Sequence, residues 1–562
     1  MDFKREIADC LQKLTNSECD FYSDIEIPRE KSFGDFSFPC FKLAKTMRQN
    51  PAKIAAELAS AEFPPVIKKA EATGAFLNFF LDGAFYSKQT ISQILKEGAD
   101  YGKSDEGNGK TVLIDYSSPN IAKRFHVGHL YSTIIGASLR NIYGFLGYKT
   151  VGANFLGDWG TQFGKLIVAY KKWGSLEEIN KNGVLEMERL YVKFHEEAKS
   201  DPTLEEEARS WQMSVQAGDS EAEKLWSLFK ETTLKEYEKQ YVRLGTSFDT
   251  FRGEKYYNDL SEEVVRILDE HHLLKESDGA QIVDLSDFNN MQPCIIIRKD
   301  GGSVYATRDI AAAFDRYRTY NFDLALYVTD VRQSLHFAQW FKIIELLGYD
   351  WSKKLQHIPY GLLSLENGAL SSREGNVVLL EDILDEAVSI VRDVIEQKNP
   401  ALENKESVAE QVGVGAIVFS SLYSSRIKDS VYSLDKVLSF EGETGPYAQY
   451  THARTASVLE KGAFNGICED FSPLDEQAAY SVVKLLSEFG EKVKLAAERC
   501  EPFIISRYVI SLAQAFNKFY HDNTILASDE TVKTARLALA AATKTVLKSA
   551  LALIGVQAPD KM

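Results

Sequence analysis

The sequence has little that would support disulfide, zinc-ribbon or membrane chemistry. Its six cysteines are scattered and none forms a CxxC pair, which argues against a disulfide framework and indicates a reducing compartment. No apolar run approaches the roughly 18 residues that span a bilayer, and the charged first residues lack an apolar signal core. We therefore expect a cytoplasmic protein with no membrane association.

The sequence also lacks a net positive charge, since 81 acidic residues outnumber 65 Lys and Arg. The net charge is −16 over 562 residues, which excludes a generally basic nucleic-acid binder but leaves room for a local basic surface. The hydrophobic content of 44% and charged content of 26% are those of a globular protein. The length predicts several domains with sizeable cores.

The chain begins with a predicted α+β domain over residues 1–100. A helix is expected near 3–16, and the run FYSDIEIP (21–28) resembles a strand. A second helix follows Pro51, and GAFLNFFLD alternates as a strand does. The polar stretch 102–110 has the composition of a linker.

Residues 101–382 alternate between strand and helix patterns, which predicts a Rossmann-like, doubly wound parallel sheet. A charged, mainly helical insertion is expected at about 165–290, followed by a hairpin turning at Asp300-Gly301-Gly302. We expect a helical junction over 383–440 and an all-α bundle over 441–562. The fold class is therefore multidomain α/β.

The tetrapeptide HVGH stands between a strand-like run and a long helical run. His126 and His129 would share one face of the first helical turn, and Gly128 would let a ligand approach the backbone. Helix N-termini favour anions, so the pattern is typical of a nucleotide-phosphate site. Hydrogen-bonded caps are the plainer alternative. Zinc is less favoured, because HExxH is absent and no third ligand is obvious nearby.

Further motifs occur in one order along the chain. They are SSPNIAKRFHVGHLYSTIIG (117–136), GDWGTQFGKL (157–166), VYATRDIAAAFDR (304–316), YVTDVRQSLHF (327–337), LSSREGNVV (370–378) and ETGPYAQYTHAR (443–454). Together they resemble the arginyl-tRNA synthetase family, class I, over nearly the whole chain. The resemblance implies an arginine–tRNA ligase that activates L-arginine with ATP and transfers it to the 3′-end of tRNA(Arg), releasing AMP and pyrophosphate.

The resemblance also implies the partners of the reaction. ATP would enter with Mg²⁺, no structural metal is expected, and the chain would be a monomer. Arginine activation would require bound tRNA. Two alternatives remain open: a related synthetase such as that for cysteine, whose zinc ligands are not evident, and a non-catalytic tRNA-binding relative.

For ATP, the resemblance assigns His126, Gly128 and His129 to the phosphates. The second family signature is a lysine-bearing loop, and here that loop has Ser371, Ser372 and Arg373 but no lysine. Arg373 could supply the charge. Lys123 resembles a family lysine that compensates for the loss, although Lys123 and Arg124 could instead be a solvated pair.

For arginine, the resemblance assigns Asp309 to the guanidinium, since a planar fork of donors pairs with two carboxylate oxygens. Tyr305 and Gln333 would be further contacts, and Asp115 and Asn120 would hold the α-amino and carboxylate ends. The family often has Glu where Asp115 stands. The alternative for Asp309 is a helix N-cap before IAAAFDRYR.

For tRNA, the resemblance assigns residues 1–100 to the elbow of the molecule and the C-terminal helices to the anticodon. Phe76 and Asn78 would stack on and pair with an unpaired base, with strand packing as the alternative. Tyr450 and Arg454, one helical turn apart, could stack on and pair with anticodon bases. The turn at 157–160 is expected to be structural support.

Overall fold

The computed structural model describes residues 3–28, 30–299, 301–365 and 378–562. The chain forms two compact units. The first comprises residues 1–101, 451–489 and 511–548, and the second comprises residues 102–450, 490–510 and 549–562.

The N-terminal segment of the first unit combines helices with an antiparallel sheet. Its elements are α1 (Phe3–Thr15), β1 (Phe36–Pro39), α2 (Phe41–Met47), α3 (Pro51–Ala59), β2 (Ile67–Thr73), β3 (Phe76–Leu81) and α4 (Gly83–Glu97). The strand β3 lies between β1 and β2. The strand predicted over 21–28 is wrong: Tyr22–Asp24 form a 3₁₀ turn, and Glu26 makes only an isolated bridge to Ser37.

The second unit opens with the predicted strand–helix–strand: β4 (Thr111–Asp115), α5 (Val127–Phe145) and β5 (Lys149–Ala153). Every residue of β4 is buried, as expected of a strand covered on both faces. Gly136 of α5 faces Tyr116, and a Cβ at that glycine would come 2.2 Å from the Tyr116 side chain. This glycine allows the helix to lie directly against the chain that follows β4.

The helical insertion follows β5, as predicted. Its helices are α6 (Thr161–Trp173), α7 (Leu176–Asn182), α8 (Val184–Glu197), α9 (Thr203–Gln216), α10 (Ser220–Arg243), α11 (Glu254–Asn258) and α12 (Ser261–Glu270). Helices α6 to α10 share a core that includes Leu166, Met187, Leu190, Phe194 and Phe229. Tyr257 of α11 and Leu268 of α12 belong instead to the core of the parallel sheet. The first five helices of the insertion therefore form a folded body with its own hydrophobic interior.

An antiparallel sheet follows the helices of the insertion, and only the last of its three strands was predicted, as the first strand of the hairpin. It consists of β6 (Leu274–Ser277), β7 (Ala280–Val283) and β8 (Cys294–Ile297). The predicted turn after β8 is present between Arg298 and Gly302, which share a backbone hydrogen bond of 2.9 Å, although Asp300 lies outside the described residues. The second strand of the predicted hairpin is reduced to one bridge between Ile297 and Ser303, because the chain enters α13 almost at once.

The parallel sheet is then completed. Its remaining elements are α13 (Tyr305–Tyr320), β9 (Leu324–Asp330), α14 (Ser334–Leu346) and β10 (Leu355–Tyr360). The strands lie in the order β10, β9, β4, β5, all parallel. The chain moves outward from β4 to β5 and, on the other side, from β9 to β10. The gap between the carboxyl ends of β4 and β9 is thus a topological switch point, where ligands bind in open α/β sheets.

Helices dominate the rest of the chain. The elements are β11 (Leu363–Leu365), α15 (Leu380–Lys398), α16 (Lys405–Ser421), β12 (Ser430–Tyr432), α17 (Leu434–Val437), α18 (Gly445–Gly462), α19 (Gln477–Ser487), α20 (Phe489–Arg499), α21 (Phe503–Asp522) and α22 (Glu530–Leu553). Within the first unit α19 packs on α4, and its Lys484 forms a 2.6 Å ion pair with Asp35. In the described ranges no helix is both long and apolar enough to cross a membrane.

Candidate active site

A cavity of about 500 Å³ lies at the switch point between β4 and β9. Its wall includes the carboxyl ends of both strands, the start of α5, and parts of α11, α13 and α14. The structure brings together here six side chains that the sequence predicted for the site: Asp115, Asn120, His129, Tyr305, Asp309 and Gln333. We name this space the switch-point cavity.

Asp309 is a partly buried carboxylate in the second turn of α13. The helix begins at Tyr305 with Val304 as its N-cap, so the alternative of Asp309 as the cap is wrong. Its Oδ2 lies 2.5 Å from Nε2 of His336, another residue of the wall. Tyr305 stands one turn earlier, as predicted, and its ring is 64% exposed with the Arg308 guanidinium 4.9 Å from its centroid.

Glu254 is a second carboxylate of the wall, and no sequence motif pointed to it. It begins α11, in the later part of the insertion, and is buried. Its ion-pair partner is Arg308, 4.0 Å away. Burial raises the pKa of Glu254 to about 7, with Arg308 opposing and Asp309 adding to the shift. A buried carboxylate with so distant a partner suits a cationic ligand, which would restore its charge.

Asp115 contributes less negative charge to the cavity than the sequence suggests. Its Oδ2 pairs with Nη1 of Arg316 at 2.7 Å, and its Oδ1 accepts the Ser118 hydroxyl at 2.8 Å. Burial raises the pKa of the Asp115 carboxyl while Arg316 opposes that shift. Arg316 was not predicted either; its guanidinium lies among the rings of Phe155, Tyr257 and Tyr327.

Asn120 and Gln333 are exposed amides of the cavity wall. Asn120 bridges to Gly157, where a Cβ would come 1.8 Å from its Oδ1, so glycine is required beside it. Gln333 ends a short 3₁₀ turn that leads into α14. The following residue of the glycine turn, Asp158, is buried, pairs with Lys230 at 2.8 Å and accepts the Lys255 N–H. These contacts make Asp158 a structural residue.

His126 and His129 cap α5 reciprocally. His126 Nδ1 accepts the Gly128 N–H at 3.1 Å, and His129 Nδ1 accepts the His126 N–H at 3.3 Å. The rings stack with centroids 3.7 Å apart. Because each Nδ1 is an acceptor, each neutral ring carries its proton on Nε2. Capping and a role in binding are therefore compatible, since the caps use one nitrogen and leave an N–H donor on the other.

The charge state of the pair follows from its surroundings. Burial lowers the pKa of His129 well below its usual value, and His126 and Lys123 add to the shift. Burial and Lys123 also lower the pKa of His126. Both rings are neutral donors at physiological pH. Gly128 must be small, because a Cβ would lie 2.8 Å from Cε1 of His126.

A second cavity of about 410 Å³ contains His126 and Lys123 in its wall. Its other lining comes mainly from α6 and α8 of the insertion, including Gln162, Glu188 and Tyr191. Lys123 is exposed, whereas Arg124 is bound to Glu188. We name this space the Lys123 cavity. The paired histidines thus contribute one ring to each cavity.

Comparison with protein families gives three matches in chain order. Residues 1–81 match the arginyl-tRNA synthetase N-terminal domain, residues 90–434 the catalytic domain of the class I (R) tRNA synthetases, and residues 448–562 the DALR anticodon-binding domain. Arginine–tRNA ligases of Alkaliphilus metalliredigens and Halothermothrix orenii are 50% and 48% identical over the full length of both chains.

The chain belongs to the arginyl-tRNA synthetase family. The fold agrees: arginyl-tRNA synthetase of Thermus thermophilus superposes with a TM-score of 0.82 at 24% identity, covering 100% of this chain and 99% of that one. The Plasmodium falciparum enzyme gives 0.78 at 24% identity, covering 100% and 98%. The predicted fold class and the predicted arginine–tRNA ligase of class I are confirmed.

The synthetase-type N-terminal domain carries Phe76 and Asn78 on β3. Both line a cavity of about 360 Å³, together with Ser37, Thr73 and other residues. Phe76 is 40% exposed and packs edge-on against Phe41. Asn78 is buried, accepts the Ser37 hydroxyl and donates to Thr73. Strand packing and an open face therefore coexist at this pair, and its role stays a prediction.

The residues predicted for the anticodon lie on α18. Tyr450 is 42% exposed. Arg454 donates to Asn517 at 2.5 Å and lies 5.1 Å from the Tyr520 ring centroid, so its guanidinium is held within the first unit. The loop residues Ser371, Ser372 and Arg373 lie outside the described residues.

Proposed function

We propose that the switch-point cavity binds L-arginine and that the paired histidines bind ATP beside it. The arginine carboxylate attacks the α-phosphate, which gives arginyl-adenylate and pyrophosphate. The 3′-terminal ribose hydroxyl of tRNA(Arg) then takes the arginyl group and AMP leaves. The observation that carries this proposal is the meeting of Asp309, Glu254 and His129 in one cavity at the switch point.

The guanidinium of the substrate faces Asp309 and Glu254. Its planar donors match two carboxylates better than an ammonium would, which favours arginine over lysine. Tyr305 offers a ring beside the guanidinium, and Gln333 adds a polar contact. Asn120 and Asp115 lie toward the α-amino and carboxylate ends. Because Arg316 already neutralises much of the Asp115 charge, the amine contact there is shared rather than exclusive.

The phosphates of ATP lie against the N-terminus of α5. The Nε2–H donors of His126 and His129 bind phosphate oxygens, and Lys123 adds positive charge for the departing pyrophosphate. Such stabilisation is most effective where charge develops in the transition state. Gly128 lets the nucleotide reach the backbone. Mg²⁺ enters with ATP on the phosphate oxygens, as hard cations do. Arg373, Ser371 and Ser372 are further candidates on the signature loop.

The tRNA contacts extend over both ends of the chain. Phe76 and Asn78 contact an unpaired base at the elbow, and Tyr450 and Arg454 contact the anticodon. Replacing Tyr450 by alanine should raise the KM for tRNA about tenfold, since base stacking contributes about 1–3 kcal/mol, while arginine affinity stays unchanged. Equal losses in both would contradict an anticodon role.

The protein acts in the cytoplasm as a monomer. Sedimentation in solution would test the monomeric state.

Pyrophosphate exchange with and without tRNA(Arg) tests the proposed function. We expect arginine-dependent exchange only when tRNA is present, and arginylation of the tRNA under the same conditions. Exchange driven by another amino acid, or arginine-dependent exchange without tRNA, would contradict the proposal. Binding of tRNA without any arginylation would identify a non-catalytic relative.

A further inference from the structure

The loop between β4 and α5 is held in an unfavourable backbone conformation. Ser117, Ser118 and Ala122 have φ of 69°, 48° and 61°, a region that non-glycine residues rarely enter. Such conformations persist only where the surrounding structure determines them, and they cluster at functional sites. The same loop carries Asn120 and Lys123, so whatever holds the loop also places these two side chains.

Two hydroxyl groups of α10 hold the loop from the insertion. Thr233 Oγ1 accepts the Ala122 N–H at 3.0 Å and itself donates to the Phe229 carbonyl. The Tyr237 hydroxyl lies 2.7 Å from the carbonyl oxygens of both Asn120 and Lys123, which share its one hydrogen. Thr233 and Tyr237 are both fully buried. Because α10 is a 24-residue helix that packs into the core of the insertion, it supports the loop from a folded body.

A carboxylate of α8 completes the attachment. Glu188 accepts the Arg124 backbone N–H at 2.8 Å and the Arg124 Nε–H at 2.7 Å. This paired acceptance fixes the residue directly after Lys123. Three side chains of the insertion thus bind the loop through its backbone at four positions, Asn120, Ala122, Lys123 and Arg124.

We propose that Thr233, Tyr237 and Glu188 are positioning residues for adenylate formation, which hold the 120–124 loop in the conformation that sets Lys123 against the ATP phosphates. The inference rests on the role proposed above for Lys123. It gives the helical insertion a part in the first chemical step. The Tyr237 ring, which packs edge-on against Phe125 at 5.3 Å, extends the same support toward the histidine pair.

The first test measures kcat for tRNA-dependent pyrophosphate exchange in Thr233→Val and Tyr237→Phe. Thr233→Val removes one of the four attachments and Tyr237→Phe removes two, and we expect kcat to fall about 3- to 10-fold in each variant. Thr233→Ser keeps the hydroxyl and should restore normal kcat. The matched controls are Thr232→Val, whose hydroxyl bonds the Leu228 carbonyl of its own helix, and Tyr170→Phe, whose ring packs against Phe229. Both controls should have normal kcat.

The second test separates positioning from general stability by combining Tyr237→Phe with Lys123→Ala. If Tyr237 acts through Lys123, its replacement should change kcat less than about twofold once Lys123 is gone. The same loss in both backgrounds would overturn the inference. If Lys123→Ala is impaired while Thr233→Val and Tyr237→Phe have normal kcat, the positioning inference fails but the proposed role of Lys123 stands. If Lys123→Ala itself has normal kcat, the proposed role of Lys123 fails as well.

Discussion

The two cavities beside the histidine pair differ in charge and in origin. The switch-point cavity is built on the carboxyl ends of parallel strands and presents the carboxylates of Asp309 and Glu254. The Lys123 cavity is built between the loop and the helical insertion and presents a lysine whose neighbouring arginine is already paired. One suits a cationic substrate and the other the charge of phosphates. In the proposed function, a single helix N-terminus would therefore serve two ligands of opposite charge.

Asp309→Asn should have the largest effect and would test the acidic side of the comparison. Removing one charged partner of the guanidinium should lower kcat/KM for arginine about 100-fold or more, with little change in the KM for ATP. Steady-state pyrophosphate exchange measures both. The matched control is Asp315→Asn on the same helix, which loses an ion pair to Arg252 instead. Unchanged arginine affinity in Asp309→Asn would refute the assignment.

His126→Asn tests the histidine pair, which contributes one ring to each cavity. Asparagine is a good N-cap, so the thermal unfolding temperature should stay near normal, whereas His126→Ala should lose about 1 kcal/mol of stability. Both variants lack the imidazole donor, and we expect kcat for activation to fall about 100-fold. Normal activity in His126→Asn would mean that the histidine is a cap and nothing more.

Lys123→Ala tests the basic side. Loss of one mobile cation near the departing pyrophosphate should lower kcat about 10- to 50-fold, and the KM for arginine should remain normal. Lys123→Arg should recover much of the loss because it keeps the charge. If the KM for arginine rises and kcat does not fall, Lys123 acts at the switch-point cavity and the assignment to the phosphates is wrong.

The smallest effect is a dependence of arginine binding on pH. The pKa of Glu254 is raised to about 7 without ligand, and the cationic substrate favours its ionised form. Affinity for arginine should therefore rise about tenfold between pH 6 and pH 8 and then level off. Isothermal titration across this range measures it. Glu254→Gln should bind more weakly and lose the slope; an unchanged slope would assign the titration to another group.

The sequence predicted the elements whose signals are local. The strand before Asp115 and the helix after His126 followed from local patterns. The placement of Asn120, Asp309 and Gln333 at one site followed instead from the resemblance to the synthetase family. The strand predicted over FYSDIEIP was wrong, because this alternating segment forms a 3₁₀ turn and a single β-bridge instead. Periodicity alone does not separate these outcomes.

Glu254, His336 and Arg316 could not be predicted from local pattern. Each belongs to the site only through contacts with residues that are distant in sequence or on another element. His336 contacts Asp309, Arg316 pairs with Asp115, and Glu254 reaches the cavity only in the folded chain. Only the folding of the insertion back onto the sheet brings α11 to the switch point. Strands β6 and β7 were missed for a related reason, since short strands at the end of a charged helical region carry little signal.

The buried pair of Asp115 and Arg316 has a consequence for substrate direction. The protein already places one of its own guanidinium groups on this carboxylate, and surrounds it with aromatic rings. The side-chain guanidinium of a free arginine could not pair with Asp115, because the guanidinium of Arg316 already occupies that carboxylate. At the other end of the cavity, the carboxylates of Asp309 and Glu254 have no guanidinium of the protein bound as closely as Arg316 is to Asp115. In the proposed function, arginine would therefore bind in one orientation, with its reactive carboxylate toward the nucleotide.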